Sequence, residues 1–385
     1  MRNHLSIGII AWNEEQALGP MLTSLFQQSL FAELSRRGQS CEILCLANGC
    51  TDRTPDVAAR CFAEQSSSHP FASAFSGRVV NIPERGKINA WNLFVHSRSD
   101  REAQFLFLMD ADIRIHHRDT LWNMLSTLEQ NSEADISVDQ PCKDIEFKPR
   151  KTLRDRISLA VSRLTRSSEA QLCAQLYCVR SAVARNIYLP KDLTACDDGF
   201  IKTLVCTDFL AHPVWPMRIR MADHSSHTFE AYTTLKSILK NQTRQVIGQT
   251  MVHILVDDYL KKLSSPQRAK LAHTIQSKER DDPQWLKQLV GDHVRRARFC
   301  WRLYPGLLTH PFQRLRRLNF VKQIFYLPVA AAGCAISLAS SFAARRFLKA
   351  GDTNYWPRAE RSGGKPVERR EESIPPFARL KTHRE

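Results

Sequence analysis

The chain has 385 residues, enough to bury one large core with a smaller helical appendage. Its 55 Lys and Arg against 39 Asp and Glu give a formal charge of +16, which suits a polyanionic partner: anionic lipid, a phosphorylated substrate or nucleic acid. No aromatic-glycine RNA-binding signature or finger spacing accompanies the charge, which disfavours nucleic acid, and the eleven cysteines contain no C-x-x-C pair, which argues against a structural zinc site. Most cysteines then read as small buried apolar groups in a reducing compartment. Met1 leads directly into a strand-like run, so this part of the chain is expected to stay in the cytosol.

Leu5–Ala11 reads as a first strand, followed by a helix over Glu15–Gln28 that carries Leu18, Met21, Leu22, Leu25 and Phe26 on one face. Cys41–Ala47 is a second strand; Asn48-Gly49 makes a turn, and Thr51, Asp52 and Pro55 start a helix bearing Val57, Ala58, Cys61 and Phe62. A polar loop over Ser66–Pro70, a strand over Val79–Ile82, a helix over Lys87–His96 and a strand over Phe105–Met109 continue the pattern. Lys148–Arg166 is basic and helical in pattern, Cys173–Arg180 returns to the sheet, Asp197-Asp198 begins another helix, and the chain is helical beyond about Tyr232. Such alternation predicts an α/β fold, a mainly parallel mixed sheet sandwiched by helices, with a helical C-terminal extension.

The tail changes character. Ile324–Ala344 contains no charged residue and is flanked by Arg314, Arg316, Arg317 and Lys322 before and Arg345, Arg346 and Lys349 after. Its length suits a ~30 Å hydrocarbon layer. Pro328, Gly333, Ser337, Ser340 and Ser341 weaken insertion, so an interfacial or buried helix competes with a span. The resulting division is a domain over 1–230, a helical extension over 231–323, a membrane-associated or transmembrane segment over 324–350, and a polar, partly disordered tail over 351–385.

The chemistry gathers at strand ends. Asp110-Ala111-Asp112 follows the apolar run Phe105–Met109, and residues two apart on extended backbone point the same way. Two carboxylates delivered together to the carboxyl edge of a parallel sheet suit a hard divalent cation, Mn²⁺ or Mg²⁺, shared with phosphate oxygens. Standing alone, the tripeptide reads as a solvated turn. Three further patches fall on the same edge: Trp12, Asn13 and Glu14; Asn48 through Asp52; and Arg85, Gly86 and Lys87 with Asn92 in the following helix. Glu14 or Asn48 would read a base, Lys87 would meet a phosphate, and Asp110 and Asp112 would carry the metal. Turns and caps are the alternative for Asn13, Asn48 and Asp52, and surface charge for Lys87. Their joint placement is what those alternatives explain poorly.

In these stretches the chain resembles a family 2 glycosyltransferase of the nucleotide-sugar-binding fold labelled GT-A. Ala11-Trp12-Asn13-Glu14-Glu15 is similar to the family's opening asparagine-glutamate motif, and Asn48-Gly49-Cys50-Thr51-Asp52 stands where Asp-Gly-Ser-Thr-Asp is usual. Gly86-Lys87 with Asn92 and then Asp110-Ala111-Asp112 complete a match over roughly residues 4–250. The resemblance implies that Asn13, Glu14, Asn48, Asp52, Lys87, Asn92 and Asp110 bind a nucleotide-sugar, and that Asp110 and Asp112 bind metal. It also implies that Asp198, the second of an acidic pair, is the catalytic base of an inverting transfer, where the alternative is a helix cap. Asp197, Gln242 and Arg244 would meet the acceptor or diphosphate.

Two departures stand out. Asn48 replaces an aspartate, which loosens the inference of uridine, and Gln242 with Arg244 lacks the Trp of the processive Gln-x-x-Arg-Trp element. Tyr355–Arg361 resembles a short tail motif of polysaccharide-building members, and His224 and His227 read as a surface pair with a third metal ligand as the alternative. The resemblance thus implies a metal-dependent, non-processive hexosyltransferase that takes a UDP-sugar to a lipid-linked or saccharide hydroxyl at the cytosolic face of a membrane. Its rivals are a nucleotidyltransferase of related fold and a catalytically inactive basic scaffold on membrane or nucleic acid.

Overall fold

Runs such as Leu5–Ala11 and Cys41–Ala47 offer no polar face, so they satisfy water exclusion only when covered on both sides. In the computed structural model, which describes residues 3–165, 170–193, 195–232, 234–296, 316 and 320–351, that is where they lie. The first half runs β1 (Asn3–Ala11), α1 (Leu18–Phe26), α2 (Leu30–Arg36), β2 (Ser40–Asn48), α3 (Thr54–Ser68), β3 (Phe75–Ile82), α4 (Lys87–Leu93) and β4 (Phe105–Asp110). Then come β5 (Arg114–Ile115), α5 (Thr120–Gln130), β6 (Ile136–Lys143), α6 (Leu153–Thr165), β7 (Leu176–Arg180), α7 (Ser181–Ala184), α8 (Asp197–Cys206) and β8 (Ile219–Phe229). Helices follow: α9 (Leu235–Ile254), α10 (Ser265–Ala269), α11 (Leu271–Asp281), α12 (Trp285–Arg296) and α13 (Phe320–Lys349).

The eight strands form one sheet in the order β3-β2-β1-β4-β7-β6-β8-β5. β3, β2, β1 and β4 are parallel, β7 runs antiparallel to both β4 and β6, and β8 is parallel to β6. The expected mixed sheet between helices is what the chain forms. Register sets the site: Ile10 of β1 stands beside Asp110 of β4, Ala11 beside Ala47 of β2, and Asn48 beside Ile82 of β3. Four carboxyl ends therefore meet along one edge.

Each sheet face has its own core. Ile7, Ile9, Cys45 and Phe107 face α1, α2 and α5 through Leu22, Leu25, Phe31 and Leu125. Leu44, Leu106, Leu108 and Tyr177 face the opposite layer, where Trp91, Phe94, Phe200 and Met251 pack. Burial of such side chains stabilises by roughly 1.5–3 kcal/mol each.

Several elements differ from the sequence reading. The helix expected over Glu15–Gln28 is shorter, α1 over Leu18–Phe26, and the helix that follows it, α2 over Leu30–Arg36, had no counterpart in the pattern. The polar loop expected from Ser66 starts later, because Ser67 and Ser68 return hydroxyl hydrogen bonds to the Glu64 carbonyl and extend α3. α5, β6 and β8 had no counterpart in the pattern. β8 is rich in His, Ser and Asp, and it is a strand because β6 and β5 flank it. The tail motif at 355–361 and the polar tail expected from 352 onward lie outside the described residues.

Candidate active site

The loops after β1 and β2 hold each other. Asn13, in left-handed backbone at φ 54°, accepts from the Thr51 amide at 2.7 Å and donates to the Thr51 hydroxyl at 3.1 Å. Asp52 accepts from the Thr54 amide at 3.0 Å and its hydroxyl at 2.5 Å, and from the Glu15 amide at 3.2 Å. Burial pushes the Asp52 carboxyl up, but these hydrogen bonds outweigh it and hold the group below its ordinary range. Glu14 enters through its backbone, donating to the Thr54 hydroxyl at 2.7 Å.

Asn48 is buried and spends its amide on backbone. It donates to the Ala11 carbonyl at 2.7 Å and accepts from Gly86 N–H at 3.1 Å, joining the ends of β1 and β2 to the turn before α4. Aspartate could not make the first of these bonds. Gly49, at φ 63°, has no room for a side chain, since a Cβ there would stand 2.7 Å from that of Arg85. Arg85 in turn lies over the Trp12 ring at 3.5 Å from its centroid.

That turn delivers Lys87 to the sheet edge. Its ammonium lies 2.7 Å from Asp110 Oδ1 and 3.0 Å from Oδ2, and it also donates to the Ala174 carbonyl at 3.3 Å. Burial works to lower the Lys87 pKa, and Asp110 and Asp197 more than reverse it, so the ammonium is held above its ordinary range. Burial pushes Asp110 up despite Lys87, and the nearby charges of Asp112 and Asp197 push the same way.

The start of α8 lies within electrostatic reach of this pair. Asp197 and Asp198 open that helix after Cys196, whose left-handed φ of 60° turns the chain into it. Left-handed backbone in a residue with a side chain costs on the order of 1–3 kcal/mol. Asp197 is buried and Asp198 partly exposed; Asp198 accepts from Gly199 N–H at 2.7 Å. Burial first, and then Asp197, raises the Asp198 pKa to about 6. Lys87 and Arg244 moderate that rise, which puts Arg244 of α9 within electrostatic reach of the acidic pair. Gly248 lets α9 press against this segment: a Cβ there would meet the Ala195 carbonyl oxygen at 2.6 Å.

Lys87, Asp110, Asp112, Asp197, Asp198 and Arg244 therefore share one field. Asn13, Asn48 and Asp52 shape the loops beside it. Asn92 is buried, and Leu189 takes both ends of its amide, the carbonyl at 2.7 Å and the amide at 3.0 Å, so the structure gives it a scaffolding part. Among the described residues Gln242 makes no hydrogen bond to the acidic pair; Gln245, further along α9, accepts from the Cys196 thiol at 3.3 Å.

The residues fit a hard cation of the Mn²⁺ or Mg²⁺ kind. Two carboxylates supply oxygen donors, and Asp112 is exposed and free of the Lys87 contact made by Asp110. Among the described residues no three His, Cys, Asp or Glu side chains converge for a metal. Such a donor set suits an ion that completes its shell with phosphate oxygens and water.

Pattern reading missed the support beneath the site. His227 is fully buried rather than on the surface, with Nδ1 2.8 Å from Asp139 Oδ2, and its Nε2 approaches the Gln175 side chain at 3.5 Å. Gln175 accepts the Asp110 amide on its carbonyl at 2.9 Å. Burial lowers the His227 pKa, but Asp139 overrides it and raises the imidazole to about 10. Tyr177, buried and accepting from Trp91 Nε1 at 2.6 Å, is a second missed neighbour of the acidic groups. Neither carries a sequence signal, because each pair is more than 80 residues apart.

Residues 6–185 match the family model described as Glycosyl transferase family 2. A comparison by sequence with curated proteins finds no match. Among solved structures, S. aureus TarS 1–349 aligns over 91% of this chain and 92% of its own, at 13% identity and a TM-score of 0.41. Glucosyl-3-phosphoglycerate synthase from Mycobacterium tuberculosis, crystallised with Mg²⁺ and uridine diphosphate, aligns over 69% of this chain and 81% of its own, at 12% identity and a TM-score of 0.42.

Proposed function

We propose, from the premise that this chain belongs to glycosyl transferase family 2 through residues 6–185, that it moves a sugar from a nucleotide donor to an acceptor hydroxyl with inversion. One observation carries the reading: the Lys87–Asp110 pair lies within electrostatic reach of the acidic start of α8, with Asp198 raised to about 6. A base with that pKa is ionised near neutrality yet able to accept a proton. Asp198 takes the proton of the acceptor hydroxyl, while Lys87 and Arg244 counter charge on the departing diphosphate. Asp110 and Asp112 would hold a divalent ion, which supplies further neutralisation of that diphosphate when bound.

The donor in this reading is a UDP-sugar. Asn13, Glu14, Asn48 and Asp52 build the loops around the nucleoside, with the Trp12 and Arg85 stack beside them. The acceptor is a lipid-linked or growing saccharide at the cytosolic face of an anionic membrane, supported by the net charge of +16 and the apolar α13 between basic clusters. Transfer is non-processive in this reading, since the Arg244 element lacks its Trp. Residues 1–230 act as the catalytic domain and 231–323 as its helical extension.

Calorimetric titration with UDP and other nucleoside diphosphates, with Mn²⁺ and after chelation, tests the reading. Metal-dependent UDP binding that disappears in Asp110→Ala/Asp112→Ala supports it. Binding of no nucleotide under any condition would overturn it in favour of a scaffold.

A further inference from the structure

Helix α13 wears its polarity inside out. Ser337, Ser340 and Ser341 are buried, together with Ala344 and Leu348, which share a core with Met251 and Ile254 of α9 and with Val290 and Val294 of α12. Ser341 satisfies its hydroxyl on the Ser337 carbonyl at 2.7 Å, so the small polar face can close against protein. The opposite face is apolar and open. Phe320, Ile324, Leu327, Ala331, Leu338 and Phe342 form an exposed row at spacings of three, four and, from Ala331 to Leu338, seven residues, with Phe320 74%, Ile324 61% and Phe342 57% exposed. A second exposed row, Pro328, Ala332, Ala335 and Ala339, runs beside it.

We propose that α13 lies in the plane of an anionic bilayer surface, its outer face sunk among the headgroups and its inner face kept on α9 and α12. This deepens, and rests on, the membrane location in the functional reading above. Three observations favour the mode. First, a lone crossing helix presents every side to lipid, but one face of α13 from Ser337 to Leu348 is buried against protein. The stretch 320–336 that remains covers only about 25 Å at ~1.5 Å per residue, short of a ~30 Å hydrocarbon core, and holds Pro328. Second, two adjacent apolar rows make a broad face suited to a flat surface, wider than the single seam a second copy would need. Third, the row ends on exposed Arg346 and Lys349, which meet anionic headgroups when the helix lies flat.

Flotation of the full chain with vesicles of phosphatidylcholine, with and without phosphatidylglycerol, tests the proposal. Binding to the anionic vesicles, released by alkaline carbonate and lost in Ile324→Asp/Leu338→Asp/Phe342→Asp while nucleotide affinity is unchanged, supports it. Two single variants that keep the apolar surface, Ile324→Trp and Phe342→Trp, give an independent reading against brominated lipids. Added quenching at equal shallow depth for both agrees with an in-plane helix. Unequal depths with carbonate-resistant binding would mean a span, overturning the in-plane mode while leaving the membrane location intact. No flotation with either vesicle, or a dimer that buries this face instead, overturns the membrane location itself.

Discussion

The Lys87 ammonium sits between both oxygens of Asp110, at 2.7 and 3.0 Å, with each side chain about a fifth exposed. The pair links the turn before α4 to the end of β4, so it is part of the site's architecture before any ligand arrives. Lys87→Met would leave Asp110 half-buried beside Asp112 and Asp197 without its cation, and the Asp110 pKa, already raised, would climb further. UDP affinity in Mn²⁺ is expected to fall tenfold or more, about 1.4 kcal/mol, by calorimetry. An unchanged Kd would remove Lys87 from the donor site.

Asp198 should behave as a base that carries rate and not binding. Asp198→Asn is expected to lower kcat by about 10²–10⁴ while leaving UDP affinity within twofold or so. The pH profile carries the sign. Because the active form is the carboxylate, kcat/KM should fall on the acid side with a pKa near 6. Asp197 is one of the groups raising that value, so Asp197→Asn should shift the acid limb to lower pH. A limb that stays put, or moves up, would separate Asp197 from the titration.

How much of this was legible beforehand follows from where the information lies. Strands β1, β2 and β4 are buried on both faces, so continuous apolar runs announced them, and motifs at their ends followed. Asp110, Lys87 and Asp198 were readable because strand ends and a helix start fix them locally. β8 was not: its burial comes from β6 and α5, and its own residues carry no period. The Asp139–His227 pair was invisible for the same reason, since a buried ion pair joins distant segments and leaves each looking like ordinary surface. The bonds of Asn92 to Leu189 were equally hidden, because a helix asparagine near a motif reads the same whether it meets a ligand or pins a distant loop.

That buried pair makes stability depend on pH in a defined direction. His227 is raised from 6.5 to about 10 in the folded chain, so its contribution is fully present below about pH 6.5 and is lost as pH rises through 10. Denaturant midpoints should therefore drop between pH 7 and 10. His227→Gln leaves Asp139 charged and buried without its partner, for an expected loss of about 3–5 kcal/mol and a flatter pH dependence over that range. A variant that keeps both the midpoint and its slope against pH would show the imidazole to be neutral in the fold.

The last expectation concerns the joint between α9 and the acidic pair. Gly248 lies so close to Ala195 that a methyl group would stand 2.6 Å from its carbonyl oxygen and 2.8 Å from its Cβ, with both residues buried. Backbone cannot retreat as a flexible side chain would, so Gly248→Ala must push α9 away or shift the 195–198 turn. Overpacking of this kind costs roughly 1–3 kcal/mol. The functional cost should exceed the structural one. α9 also carries Arg244 toward Asp198, and misplacing a catalytic group by about 1 Å lowers rate on the order of 10²-fold. Steady-state kinetics below the unfolding temperature should show kcat reduced with UDP affinity preserved. Full kcat in a destabilised Gly248→Ala protein would mean that the turn holding Asp198 does not depend on its contact with α9.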